Sequence, residues 1–199
     1  MNSKMKNRVI ELNIGPMFAG KSSALLTLVR RLNVLDINKV KPLIINHSID
    51  IRYGENVISS HDKVTVPCIS IPQMKYIMDN NINEKIPSIK DITDIIIDEA
   101  QFFDDLFEFI TNKDIFQNKI NIYLFGLNGT SERKPFENIS NILGLVTKIN
   151  YLTAYCSFCC DGTEANFSLR TSNEKDKIVV GSDNYKAVCE NCFIKHNKP

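Results

Sequence analysis

The chain has almost no excess charge. In its 199 residues, 24 Lys and Arg face 23 Asp and Glu, a formal net charge of +1. That balance supplies no long-range pull toward nucleic acid or an anionic membrane surface. Also missing is any apolar run long enough to span a bilayer. The basic opening, MNSKMKNRVIELNI, has no long apolar stretch of the kind an export signal needs. The expected compartment is therefore the cytoplasm, where thiols stay reduced. The six cysteines are then expected as free thiols or metal ligands, not as a disulfide framework. No internal repeat or low-complexity tract stands out. What remains is an ordinary globular composition: 43% hydrophobic residues are enough to form a core unaided. The length suits one main domain with room for a small second one.

Apolar runs and helical spacings alternate along the first three quarters of the chain. RVIELNI (Arg8 to Ile14) reads as a buried strand. Ser22 to Leu35 reads as a helix, with Leu25, Leu26, Val29, Leu32 and Leu35 at helical spacing. Strands are expected over Val40 to Ser48 and Val64 to Ile71, with a polar loop from Ser48 to Asp62 between them. A short helix is expected over Ile71 to Met78. ITDIIIDEA (Ile92 to Ala100) is a strand running into acids, FFDDLFEFI from Phe102 is helical, and INIYLFGLNG (Ile120 to Gly129) is a strand ending at glycines. This alternation predicts an α/β fold, a mainly parallel sheet flanked by helices. After about Thr153 the apolar runs shorten, turn residues multiply and cysteines come in pairs. A boundary near Leu152 follows, with one domain over 1–152 and a smaller one over 153–199.

Gly15-Pro16-Met17-Phe18-Ala19-Gly20-Lys21-Ser22 satisfies the pattern G-x-x-x-x-G-K-[ST]. Such a loop curls backbone N–H groups around a phosphate. Lys21 brings a point charge to the terminal phosphates, and the Ser22 hydroxyl can join a Mg²⁺ shell. The alternative is a chance match in a turn, but here an apolar strand precedes the pattern and an amphipathic helix follows. The second half of a site of this kind is an acid at the end of a nearby strand. Asp98, directly after three isoleucines, is placed to hold Mg²⁺ through water. Glu99, next in line, can accept a proton from an attacking hydroxyl. An ordinary helix cap is the alternative for this pair. DEAQ also resembles a helicase signature, but a helicase of that type needs two such domains and this chain has room for one.

Cys156-x-x-Cys159 and Cys189-x-x-Cys192 are two knuckles that can close a tetrahedral Cys₄ zinc site. With all four positions filled by protein, the zinc is expected to be structural. Surface thiols or a redox pair are the alternatives. Cys160 could compete with Cys159 as a ligand, though C-x2-C is the better loop geometry. Cys68, in an apolar run, reads as a core thiol.

Taken together, these features resemble the type II thymidine kinases, the cytosolic cellular enzymes with their poxviral and bacterial relatives. GPMFAGKS is similar to the family's GPMFSGKS, and DIRYG with SHD is similar to its DTRY and THD. IIIDEAQFF, GLNGTSERKPF and VVGSDNYKAVCENCF are similar to its DEGQFF, ALDGTFQRKPF and IGGADKYHSVCRLCY. The likeness runs from about Arg8 to Phe193. It implies a P-loop domain plus a small zinc-bearing β-ribbon domain whose lasso loop folds over the nucleoside. It also implies transfer of the ATP γ-phosphate to the 5′-hydroxyl of thymidine, feedback inhibition by dTTP and a homotetramer. By position, Glu99 would be the general base and Arg52 would neutralise phosphate. Met17, Phe102, Leu127 and Phe136 would wall the base pocket, with Ser168 near the thymine methyl. The backbone of Ile178, Val179, Val180, Gly181 and Ser182 would hold the pyrimidine edge, and Tyr185 would lie near the sugar. The lasso, Phe167 to Tyr185, would be mobile until nucleoside binds.

Two departures from the family pattern bear on selectivity. Ser131 stands where the family usually has Phe, and Ser168 where Thr is common. A group of that size is worth about 1–3 kcal/mol of discrimination, which leaves a broader deoxynucleoside kinase as one alternative. A P-loop NTPase whose zinc ribbon binds nucleic acid or protein is another. Residues 154–199 carry six basic and six acidic side chains, a balance that argues against nucleic acid.

Overall fold

A computed structural model describes residues 7–60, 62–79, 86–172 and 184–197. In chain order its elements are β1 (Ile10–Gly15), α1 (Lys21–Asn33), β2 (Pro42–His47), β3 (Val57–Ser59), β4 (Thr65–Pro67) and β5 (Ile69–Ile71). There follow α2 (Lys75–Met78), β6 (Asp94–Ile97), α3 (Leu106–Thr111), α4 (Lys113–Gln117), β7 (Asn121–Leu127), α5 (Glu137–Ile142) and β8 (Lys148–Tyr151). The C-terminal part holds β9 (Ala154–Tyr155), β10 (Glu164–Ala165), β11 (Phe167–Arg170), β12 (Tyr185–Val188) and α6 (Glu190–His196).

Six strands form one sheet in the order β5-β2-β6-β7-β1-β8, and every pairing in it is parallel. A parallel sheet has both faces covered, so its inner strands read as unbroken apolar runs. All four residues of β6 are buried. The two-residue repeat of a strand sends alternate side chains to opposite layers. Ile95, Ile97, Ile122 and Leu124 enter the larger core with Phe103, Leu106, Ile110 and Ile142. Ile96 and Phe125 enter the other, where Leu25 and Val29 of α1 cover them. Each such side chain contributes about 1.5–3 kcal/mol relative to exposure. No helix among the described residues is long and apolar enough to cross a membrane.

Three segments differ from the sequence-based expectation. The loop expected over Ser48 to Asp62 contains β3, whose Ile58 is 2% exposed and packs with Ile96 and Phe125. The single strand expected over Val64 to Ile71 is two strands. β4 pairs antiparallel with β3, and β5 pairs parallel with β2. Pro67, which has no N–H to donate, ends the first, and Cys68 N–H turns back to Asn56 O at 2.9 Å. The helix expected from Phe102 starts only at Leu106. Phe103 is extended at φ −85°, ψ 103° and fully buried. Asp105 lends its carboxylate to the Met74 and Lys75 N–H groups at 2.9 and 2.8 Å.

Past Tyr151 the large sheet ends. β9 with β10 and β11 with β12 make two small antiparallel ladders. They share a separate apolar cluster of Ala154, Cys156, Ala165, Leu169, Ala187, Val188 and Phe193.

Candidate active site

The phosphate loop joins β1 to α1, beside the carboxyl ends of the sheet's central strands. Gly15 lies so close to the Leu152 carbonyl oxygen that a Cβ would overlap it, and Ala19 Cβ would be 3.1 Å away. Gly20 takes φ 76°, the left-handed region that glycine enters freely. Phe18 takes φ 64°, which a bulky residue adopts at a cost. No side chain caps the N-terminus of α1, so its first amides are left for an anion. Lys21 Nζ folds back on its own loop, donating to Pro16 O at 2.6 Å and Gly15 O at 3.3 Å. Burial draws its pKa down to about 8, against the pull of the Glu99 and Asp98 charges.

Across the loop stand the carboxylates that follow β6. Asp98 is 5% exposed. Burial, reinforced by the charge of Glu99, pushes its pKa up to about 7. Its Oδ1 accepts the Glu99 N–H at 3.0 Å. Glu99 takes φ 50°, and each of its oxygens has a donor. Arg52 Nη2 reaches Oε1 at 2.5 Å, and Gln101 Nε2 reaches Oε2 at 2.6 Å. Arg52 is gripped from behind by Asp50, Nε at 2.5 Å and Nη2 at 2.9 Å. Burial opposes its charge, but the Asp50 and Glu99 carboxylates outweigh burial and raise its pKa. Gln101 is 2% exposed. Its Oε1 accepts the Leu127 N–H at 3.0 Å, which fixes the amide so that Nε2 must face Glu99.

Two cavities border this hydrogen-bonded line, one lined by Arg52 and Glu99 and the other by Gln101. A small one, about 80 Å³, is lined by Met17, Gly20, Lys21, Ser22, Arg52, Glu99 and Leu127 among others. A large one, about 780 Å³, is lined by His47, Gln101, Phe102, Ser131, Phe136 and Arg170 among others. The Phe102 and Phe136 rings meet edge to face at 6.3 Å. The volume is that of a small-molecule site. A cationic, amide-lined recess, a larger chamber with two phenyl rings on a mostly polar wall, and a carboxylate on the recess side that is hydrogen-bonded to the chamber's Gln101 suit transfer of a phosphoryl group to a hydroxyl.

The expected pocket residues divide between the spaces. Met17 and Leu127 lie on the phosphate side, and Phe102 and Phe136 in the large chamber. Ser168 borders a third cavity of about 180 Å³, and its Oγ accepts the Met17 N–H at 2.9 Å. The Tyr185 hydroxyl accepts from Arg170 Nη2 at 3.2 Å. Ile178, Val179, Val180, Gly181 and Ser182 lie outside the described residues. Four residues at the site were not singled out from sequence. Asp50 and Gln101 stood inside the DIRYG and DEAQFF segments, where their neighbours drew the attention. His47 and Arg170 carried no signal.

In the C-terminal part the Sγ atoms of Cys156, Cys159, Cys189 and Cys192 all lie within 4.8 Å of one another. Cys159 Sγ is 3.8 Å from Cys189 Sγ and 3.6 Å from Cys192 Sγ. Tetrahedral zinc with bonds of about 2.3 Å sets sulfurs about 3.8 Å apart, so the cluster could bind zinc. Burial opposes ionisation of Cys156, but the backbone N–H groups of Cys189, Cys159 and Phe158 outweigh it and bring the thiol to about 6. Cys160 is exposed and turns its Sγ to Ser157 O at 3.3 Å; it is outside the cluster. Cys68 is half-buried and packs against the smaller core layer, its thiol pushed up to about 11 by burial.

A parallel sheet with this loop after β1 and these acids after β6 defines a P-loop nucleotide-binding protein with a second, larger cavity bordered by Gln101. The family described as Thymidine kinase matches residues 8–193. The thymidine kinase of rabbit fibroma virus (strain Kasza) is 36% identical over 187 residues, covering 93% of this chain and 96% of the viral one. That of Yaba monkey tumor virus (strain VR587) is 36% identical over 199 residues, 99% of each chain. That of vaccinia virus (strain Tian Tan) is 38% identical over 186 residues, 93% and 96%. The chain belongs to the thymidine kinase family and is an ATP-dependent kinase.

Proposed function

We propose that the enzyme moves the γ-phosphate of ATP to the 5′-hydroxyl of thymidine, giving dTMP for nucleotide salvage. The observation that carries this is Glu99, poised on the hydrogen-bonded line between the phosphate recess and the chamber. The loop amides from Ala19 to Ser22 and the Lys21 ammonium hold the phosphates. Ser22 and Asp98 would hold the Mg²⁺ that travels with ATP, and the ion would supply neutralisation of the terminal phosphate charge there. Arg52, now paired with Glu99, turns its charge to the phosphates. Glu99 accepts the proton of the attacking hydroxyl. Phe102 and Phe136, with Met17 and Leu127 nearer the phosphates, wall the nucleoside, and Tyr185 lies near the sugar.

The four-cysteine cluster would hold structural Zn²⁺, which would crosslink the module spanning 153–199 to itself beside the P-loop domain over 1–152. We further place the enzyme in the cytoplasm as a homotetramer inhibited by dTTP, with no nucleic acid or membrane partner. A broader nucleoside range is the second reading. It is favoured by Ser131 on the chamber wall, where the family's usual Phe would fill space. ATP-dependent phosphorylation measured across thymidine, deoxyuridine, deoxycytidine and deoxyguanosine tests both. The proposal expects the highest kcat/KM for thymidine. A purine nucleoside preferred over thymidine, or ATP turnover stimulated by DNA and by no nucleoside, would overturn it.

A further inference from the structure

β2 ends at His47, and there the chain turns toward Arg52. The His47 imidazole is the hub of that turn. The Ile49 N–H lies 3.1 Å from Nδ1, and the Pro72 carbonyl oxygen lies 3.1 Å from Nε2. A backbone N–H only donates and a carbonyl only accepts. The two contacts together fix one state of the ring, neutral with its proton on Nε2. The His47 carbonyl oxygen accepts the Asp50 N–H at 3.0 Å, so ring and backbone of one residue hold both Ile49 and Asp50. Asp50 in turn grips Arg52, Nε at 2.5 Å and Nη2 at 2.9 Å, and Arg52 Nη2 reaches Glu99. The ring also packs on Phe103 at 4.7 Å and on Phe102 at 5.8 Å. It thereby ties the turn to the end of β5 and to the segment that follows the acids.

We propose that His47, held as the neutral imidazole with its proton on Nε2, is the positioning residue for Arg52. This rests on the reading of Arg52 as the cation that meets the transferring phosphate. The route is His47 to Ile49 and Asp50, then Asp50 to the guanidinium. A turn fixed in advance lets the guanidinium meet phosphate without first losing its own motion. A second proton would put an N–H on Nδ1, facing the Ile49 N–H, and the turn would open. Burial opposes that proton and lowers the pKa of the ring, against the pull of the Pro72 carbonyl and of the Asp104, Glu99 and Asp105 charges. Asn at this position could return an acceptor to the Ile49 N–H through its Oδ1. Phe keeps a ring against Phe102 and Phe103 and supplies no acceptor.

The test joins nitrogen NMR to kinetics on the full chain, His47→Asn and His47→Phe, with thermal melting beside them. The chain has three histidines, and loss of one imidazole signal in the variants assigns His47. In the parent that ring should be the Nε2–H tautomer and should stay neutral at about pH 6.5, where a free histidine is half protonated. The Arg52 Nε–H, bonded to Asp50, should give a slowly exchanging signal in the parent and in the Asn variant, and lose it in the Phe variant. The kcat should fall about tenfold for Phe, the worth of one hydrogen bond, and stay within about threefold for Asn. An Nδ1–H tautomer or a cationic ring at neutral pH would overturn the proposal, whether or not either variant folds. So would an unchanged Arg52 signal in the Phe variant, or a raised KM for thymidine with kcat intact, which would make the ring a chamber wall only. Loss of the Arg52 signal with kcat unchanged would uphold the positioning and overturn instead the reading of Arg52 as the phosphate cation.

Discussion

Replacing Glu99 with glutamine keeps the shape of the side chain and removes both its charge and its basicity. The carboxylate now accepts from two donors, Arg52 Nη2 and Gln101 Nε2. Gln101 cannot turn over to present its oxygen, because that oxygen holds the Leu127 N–H. The new amide therefore satisfies one donor and points its NH₂ at the other. Losing one hydrogen bond to a charged group costs about 1.5–3 kcal/mol. That cost is offset in part, since the charge of Glu99 is one of the causes that raise the Asp98 pKa, and neutralising it relieves the repulsion. Stability should consequently change little. The catalytic loss does not cancel: a general base is worth about 10²–10⁴-fold, or about 2.7–5.4 kcal/mol of barrier. Glu99→Gln should bind ATP and thymidine and lose at least about 100-fold in kcat, read as initial rates of ADP release with saturating thymidine. A kcat within about tenfold of the parent, in a protein that still melts normally, would refute the assignment of Glu99 as base.

Gly15→Ala should abolish nucleotide binding, seen as loss of thermal stabilisation by ATP, because the added Cβ overlaps a backbone carbonyl that cannot move aside; normal stabilisation would mean that the loop takes another path. Gln101→Leu removes a donor from Glu99 and leaves the Leu127 N–H without its acceptor. We expect kcat to fall about tenfold with the KM for ATP unchanged, and an altered KM with normal kcat would argue against a role through Glu99. Cys156→Ser and Cys189→Ser should lower the melting temperature before they touch turnover, since a closed four-sulfur site contributes folding free energy. Elemental analysis of the parent should find about one zinc per chain, and a metal-free preparation of full stability would exclude the site.

The phosphate loop and the acids after Asp94–Ile97 were legible because each is contiguous in sequence and carries a fixed spacing or follows an unbroken apolar run. The two C-x2-C pairs were legible for the same reason. What stayed hidden were contacts that sequence spacing does not encode. The lock between Gln101 and Leu127 spans 26 residues, and that between Met17 and Ser168 spans 151. Neither leaves a periodicity. The split of Val64 to Ile71 was hidden too, since β propensity cannot tell which of two sheets a residue joins. His47 drew no attention because its place at the chamber depends on how β2 lies beside β6. Its ring then packs edge-on to Phe103 at 4.7 Å.

The order of the sheet also sets a timetable for the nascent chain. β1, which ends at the phosphate loop, has as its partners only β7 and β8, with Ile10 opposite Ile122 and Glu11 opposite Lys148. On the ribosome it must wait for roughly a hundred further residues, about 5–20 s at ordinary synthesis rates. Throughout that interval RVIELNI is an apolar segment with both edges open, a target for chaperones or for a neighbouring nascent chain. The nucleotide recess closes only after Leu152 is made, since its carbonyl packs on Gly15. ATP can therefore act as a folding ligand only near the end of synthesis, and fragments that stop before β8 should neither bind nucleotide nor resist proteolysis.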